Sequence, residues 1–286
     1  MKYQFIQDHQ SSHRITVLCD ALDIKRSSYY DWRSRQQSLR EAQNTVLLDK
    51  IRIIHTASRE SYGAIKTWKQ LRASGEQCGL HRVERLRRKH GIEAKRMRLF
   101  RASKSGRNNE AVADNILNRQ FDVKQPDRVW VGDITFITTR KGVLFLATII
   151  DLYSRQVVGW SMSNKQDRYL VKDALLMAIE SRQPKPGLIH HTDQGCQYMS
   201  RDYQALLSAH EIIPSASRKG NCHDNAVAES FFSHLKNDLI YHRDFLTRDE
   251  ARTAIFDYIE VYYNRQRLHQ TLGYKTPIEY EMMNVA

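Results

Sequence analysis

The sequence predicts a two-part α/β protein, in which an all-α basic front end precedes a mixed sheet covered by helices. Three observations lead there. The excess positive charge lies in the first 110 residues. Apolar spacing is helical up to about residue 89. Three consecutive strand-like runs then open the second part, before helices and strands begin to alternate.

The charge comes first. The 286 residues carry 45 Lys+Arg against 32 Asp+Glu, a net +13. Residues 1–110 hold 24 and 11 of these, which leaves 21 of each for the remainder, so the back part is neutral. Such asymmetry predicts a nucleic-acid-binding front end joined to a part with a different task. No apolar run approaches the roughly 18 residues of a membrane span, and "MKYQFIQDHQ" lacks the apolar core of an export signal. Cys19, Cys78, Cys196 and Cys222 are scattered with no CxxC pair. That argues against a disulfide framework or zinc knuckle and for a reducing cytoplasm.

Residues 13–37 read as two short helices about a turn near Asp23. Val17, Leu18, Ala21 and Leu22 form the apolar face, and Ser27 or Ser28 caps the second helix. In 62–74, Ile65, Trp68 and Leu71 recur at three-residue steps before the turn "SGEQCG". The next helix buries Leu80, Val83 and Leu86 and carries Arg82, Arg85, Arg87, Arg88 and Lys89 on its remaining surface. This is the pattern of a helix-turn-helix whose basic second helix enters a major groove. From about 99 the chain turns polar, punctuated by Gly106 and Pro126. The expected partition is a helical DNA-binding region at 1–98, a basic linker at 99–124 and a core at 125–286.

The texture then becomes β. "RVWVGDITFITT" (128–139), "GVLFLATIID" (142–151) and "QVVGWSMS" (156–163) are joined by tight turns and predict an antiparallel meander. A helix over 168–182, a strand "LIHHTD" (188–193), a helix near 200–211 and a short strand "IIPSAS" follow. A long helix from about 224 to 240 and a last one over 248–264 complete the series.

Within this frame, Asp133 shares a strand face with Val129, Val131, Thr135 and Ile137, where an ionised carboxylate is costly unless it is paired or holds a metal. Asp193 ends a second strand, Asp151 ends another, and Glu229 lies on the long helix with Lys236 two turns along the same face. Acids gathered at one place repel, by about 4 kcal/mol for two charges 4 Å apart at an effective dielectric of 20. All-oxygen ligands of this kind suit Mg²⁺ or Mn²⁺, and two such ions activate an attacking oxygen and stabilise the leaving one at a phosphodiester. A basic front end and an acid-rich core therefore point to metal-dependent phosphoryl transfer on DNA. Asp224 reads as a helix N-cap. Asp151 stays open between the site and a turn that bonds local backbone. His190, His191 and His223 lack zinc spacing, and His190 reads as a neutral core histidine. Trp130, Trp160, Tyr262 and Tyr263 read as core or rim.

"WVGDITFI", "HTDQGCQY" and "GNCHDNAVAESFF" resemble the three acidic motifs of the DDE transposases of bacterial insertion sequences. The similarity is to the large family, number three in the usual naming, whose core is like that of retroviral integrases. The 35 residues between Asp193 and Glu229 match the spacing that names the D,D(35)E group. "YGAIKTWKQLRASG", "HRVERLRRKHGIEAKR", "DLYSRQVVGW" and "YYNRQRLHQTLGYKTPIEY" extend the likeness from about residue 13 to 280. The resemblance implies an RNase H-like core with Asp133, Asp193 and Glu229 as catalytic, metal-binding acids, and with Asp151 outside the set. Two Mg²⁺ (or Mn²⁺) ions are implied, with cleavage at element ends followed by 3′-hydroxyl strand transfer into target DNA. Lys236 is implied to contact DNA near the reacting phosphate, and Arg218 and Lys219 are candidates beside it. The implied partners are double-stranded terminal repeats and target DNA, a short upstream-frame protein joined by frameshift, and further copies on DNA. The implied location is a bacterial cytoplasm, at the nucleoid. Two other expectations stand beside this one: an RNase H-like nuclease that cuts without joining, and an inert DNA-binding regulator.

Overall fold

A computed structural model describes residues 2–34, 38–95, 115–117, 122–217 and 225–283. The chain forms two compact units, Met1–Arg52 and Ile53–Ala286. This division falls inside the helical region expected to run to residue 98. The physical reason is that residues 59–62 bond to the C-terminal segment. The Tyr62 hydroxyl accepts the Leu268 N–H (2.6 Å) and donates to the Gln266 carbonyl (3.1 Å), and Arg59 pairs with Asp257 at 2.6 Å.

In the first unit, α1 (Lys2–His9), α2 (Ile15–Ala21) and α3 (Arg26–Ser34) close around Ile6, Leu18, Cys19 and Tyr29. Asp23 makes the expected turn with φ +54°. Val17 points outward instead of into the core, 57% exposed, with Cys19 buried in its place. Ser27 and Ser28 fall inside the first turn of α3 rather than at its cap. A long helix, α4 (Leu39–Ala57), follows.

The second unit takes in the end of α4 from Ile53 and then α5 (Ala64–Ala73) and α6 (Leu80–Lys89), which pack through Leu71, Val83 and Leu86. Its centre is a five-stranded sheet in the order β3-β2-β1-β4-β5. β1 (Val129–Thr139), β2 (Gly142–Asp151) and β3 (Val157–Ser163) form the expected antiparallel meander, while β4 (Ile189–Thr192) and β5 (Ile213–Ala216) add in parallel on the other side of β1.

Helices cover both faces. One face, with Trp130, Ala147, Ile149 and Val158, packs under α7 (Arg168–Arg182) and α8 (Arg201–Ala209). Asp167 caps α7 by accepting the N–H groups of Tyr169 and Leu170. Gly159 is required there, since a Cβ would stand 2.3 Å from the Ala174 carbonyl oxygen. The other face, with Val129, Val131, Ile137 and Leu144, packs under α9 (Ala226–Asp238) and α10 (Arg248–Phe256). The chain continues from α10 as a π-helical segment, Asp257–Tyr263, before α11 (Pro277–Met282). Among the described residues, no helix is long and apolar enough to cross a membrane.

Candidate active site

The register between β1 and β4 brings the first two acids together. The strands run parallel with a constant offset of 60 residues: Val129 pairs with Ile189, Trp130 with His190 and Val131 with His191. Continued to residue 133, the same offset arrives at Asp193, one position past the end of β4. Neighbouring strands lie about 4.8 Å apart, and residues in register project to one face. Asp133 is therefore set on the face that α9 covers, and Asp193 leaves β4 next to it. β1 and β4 approach closely here, since a Cβ on Gly132 would lie 3.0 Å from His190 Cε1.

Local bonds orient each carboxylate. Asp133 Oδ1 accepts the Ile134 N–H at 2.8 Å. Asp193 Oδ1 accepts the Gly195 N–H at 3.0 Å, in a turn where a Cβ on Gly195 would also stand 3.0 Å from that oxygen. Asp133 is half-buried and Asp193 exposed. Tyr198 is buried nearby. Its hydroxyl pKa is raised well above the ordinary value, by burial first and then by the charges of Asp193, Tyr203 and Asp133. The phenol thus stays protonated beside two carboxylates.

Glu229 occupies the first turn of α9 and is exposed. Two contacts fix this helix along β1: Asn225 Nδ2 donates to the Gly132 carbonyl at 3.1 Å, and Lys236 Nζ lies 5.4 Å from the centre of the Phe136 ring. Ala228, Phe231, Phe232 and Leu235 press into the sheet between them. Glu229 is thus on the helix that flanks the aspartate pair. Even so, among the described residues no three His, Cys, Asp or Glu side chains are grouped closely enough to hold a metal ion. Asn225, Tyr198 and Phe136 were not singled out in the sequence. Asn225 stands in the same motif as Glu229, four residues before it.

Asp151 resolves as a turn residue. Its Oδ2 accepts the Ser154 N–H and hydroxyl, both at 2.8 Å, and its Oδ1 accepts the Asp127 N–H at 3.0 Å. It is fully buried, and desolvation pushes its pKa up to about 6. Among the described residues, the histidines carry no ligand arrangement. His190 is buried against the Tyr203 hydroxyl at 2.7 Å, and burial lowers its pKa to about 3, the neutral core histidine expected. His191 spends both ring nitrogens on Ser215 and Ser217. Trp130, Tyr262 and Tyr263 are core residues, and Trp160 sits at the rim, bonded to Glu260 at 2.7 Å.

On α6, Arg85, Arg88 and Lys89 are exposed and Arg82 is half-buried. Arg87 is a correction to the expected DNA-contacting set. It is 5% exposed, and its guanidinium donates to Thr67 Oγ1 (3.0 Å) and to the Tyr62 carbonyl (2.9 Å). It ties α6 to α5 from the inside, where no phosphate reaches it. Arg218, Lys219, His223 and Asp224 lie outside the described residues.

The chain matches the integrase core domain over residues 123–222 and again over 229–285, and an HTH-like domain over 41–100. It is 39% identical, over 292 aligned positions covering all of both chains, to the transposase InsF for insertion sequence IS3A of Escherichia coli (strain K12). It is 40% identical to an uncharacterized 31 kDa protein of insertion element IS600 from Shigella sonnei, covering 91% of this chain and 96% of that one. Among solved structures, the HTLV-2 integrase catalytic core domain in complex with magnesium overlaps 55% of this chain and 97% of its own, with a TM-score of 0.43 and 20% identity.

Proposed function

Since this chain belongs to the insertion-sequence transposases and is a polynucleotidyl transferase of the integrase-core type, we propose that Asp133, Asp193 and Glu229 carry its chemistry. The observation that supports this most directly is the 60-residue register of β1 and β4, which, extended past its last pair, would set Asp193 level with Asp133. In the proposed reaction, water cleaves a phosphodiester at the element end and leaves a 3′-hydroxyl. That hydroxyl then attacks a target phosphodiester, forming one phosphate–oxygen bond as another breaks.

The chemistry of these carboxylates suits Mg²⁺ or Mn²⁺, although Glu229 does not stand close enough to the aspartates in this structure to complete a metal site. The set offers carboxylate oxygens only, and the nearby imidazoles of His190 and His191 are bonded to hydroxyls. Asp133 and Asp193 would hold such ions, with Glu229 completing the set from α9. Two bound divalent ions supply an activated oxygen nucleophile and stabilise the leaving oxygen. The protein's own part is to fix the acids on rigid backbone, through the Ile134 and Gly195 N–H groups. Tyr198 keeps a protonated phenol next to the charges.

DNA is the partner that the HTH-like and integrase domains imply. Arg82, Arg85, Arg88 and Lys89 are proposed to track its backbone, and Lys236, Arg218 and Lys219 to hold it beside the acids. A short upstream-frame protein, further copies on DNA and a bacterial cytoplasmic location complete the reading. A labelled element end with a target plasmid tests it. Cleaved and joined product is expected, and both are lost in Asp193→Asn while DNA binding persists. Cleavage without joining would indicate a nuclease, and an Asp193→Asn protein unchanged in every activity would indicate a regulator.

A further inference from the structure

Asn225 opens α9 without capping it, since its side chain makes no bond to the helix's own N–H groups. It is 5% exposed, and its Nδ2 donates instead to the Gly132 carbonyl at 3.1 Å. The direction of that carbonyl follows from the sheet. Along a strand the backbone groups alternate between the two neighbours. Arg128 accepts the Ile189 N–H on the β4 side of β1, and Val129 accepts the Leu152 N–H on the β2 side. Gly132, an even number of residues from Arg128, therefore turns its carbonyl toward β4. It does so one residue past the last pair of the two strands, Val131 with His191. The Asn225 amide meets it there, at the seam of the strands that lead to Asp133 and Asp193, and four residues before Glu229.

Asn225 Oδ1 is buried and has no hydrogen-bond partner among the described residues. A buried acceptor left unpaired is destabilising, and an aliphatic side chain of similar size would avoid that loss. The amide thus serves for the one bond it makes. Helical side chains lean toward the N-terminus, so Glu229, one turn further on, leans back toward this tie. We propose that Asn225 is a positioning residue: it holds the first turn of α9 to the backbone beside Asp133 and so fixes where Glu229 stands relative to the aspartates. This role rests on the proposed part of the three acids in the chemistry.

The test uses the full chain with Mn²⁺ as the probe, bound without DNA and read by electron paramagnetic resonance. Asn225→Ala is expected to bind Mn²⁺ about tenfold more weakly than the native chain, with a metal-free thermal midpoint within about 4 °C of native. Asn225→Ser is expected to bind as weakly, because serine caps a helix as well as asparagine does but is too short to reach Gly132. Amide hydrogen exchange over 189–195 and 225–229 is expected to quicken in Asn225→Ala and to stay native in Asp193→Asn. Native Mn²⁺ affinity in Asn225→Ala, rescue by Asn225→Ser, unchanged exchange, or a midpoint lowered by about 10 °C or more would each overturn the positioning role. An Asp193→Asn chain that bound Mn²⁺ like the native one would overturn the role of the acids and leave the tie to be judged by exchange.

Discussion

Asp151 and Asp193 both close a strand of one sheet, and they differ in nearly every other respect. Asp151 is fully buried and accepts three hydrogen bonds from its own hairpin and from Asp127. Asp193 is exposed, lies just past the end of β4, and accepts the Gly195 N–H in a glycine turn. A carboxylate whose acceptor sites are filled by backbone serves the fold. One exposed at a strand end is placed as the proposed chemistry requires.

The sharpest way to break this comparison is to neutralise each acid in turn. Asp193→Asn and Asp133→Asn are expected to lower the rate of element-end cleavage by about a thousandfold, on the order of 4 kcal/mol in the barrier. Their thermal midpoints should stay near that of the native chain. Cleavage within tenfold of native in either variant would contradict the contrast. Asp151→Ala is expected to do the reverse. It strands buried donors at a cost of about 3 kcal/mol in denaturant unfolding, while the protein that remains folded cuts DNA normally.

The pH dependence sharpens the point. Asp151 has a folded pKa of about 6, above its unfolded value of about 4. Its preference for the folded state is complete below the lower value and is lost as pH rises through the upper one. Relative to Asp151→Asn, native stability should therefore decline between pH 4 and 6, by at most about 3 kcal/mol. A flat difference across that range would refute burial as the cause.

Smaller effects separate two neighbours on α6. Arg87→Ala removes a buried bridge between helices and should cost about 2 kcal/mol of stability. Arg88→Ala should leave stability unchanged and reduce the slope of log K against log salt for DNA binding by about 1. Equal salt slopes in the two variants would undo the distinction.

These contrasts also mark what could be read from sequence. Strand periodicity fixed the face of Asp133, and the meander over 129–163 emerged close to its expected bounds, because period-two burial and tight turns are local signals. The pairing of β1 with β4 is not local. It depends on a crossover through β2, β3 and α7, so only the likeness to known motifs joined Asp133 to Asp193. Arg87 could not be told from Arg88 on a helix basic on several sides, since the residue that buries it, Thr67, lies on another helix. α4 went unread because its apolar residues divide between buried Leu47, Leu48 and Ile51 and exposed Leu39, Val46 and Ile53. The helix expected over 248–264 changes to π winding at Asp257, a change that apolar spacing does not encode.

The 60-residue register has a consequence for engineering. Alignment of the two aspartates is set by hydrogen bonds between β1 and β4, so the chain length between them is a free parameter. The exposed turn at 185–187 lies outside both strands, and a reporter domain spliced there should leave the pair in step. A single residue added inside β4 has a different effect, because it turns Asp193 to the opposite side of the sheet, under α7 and α8.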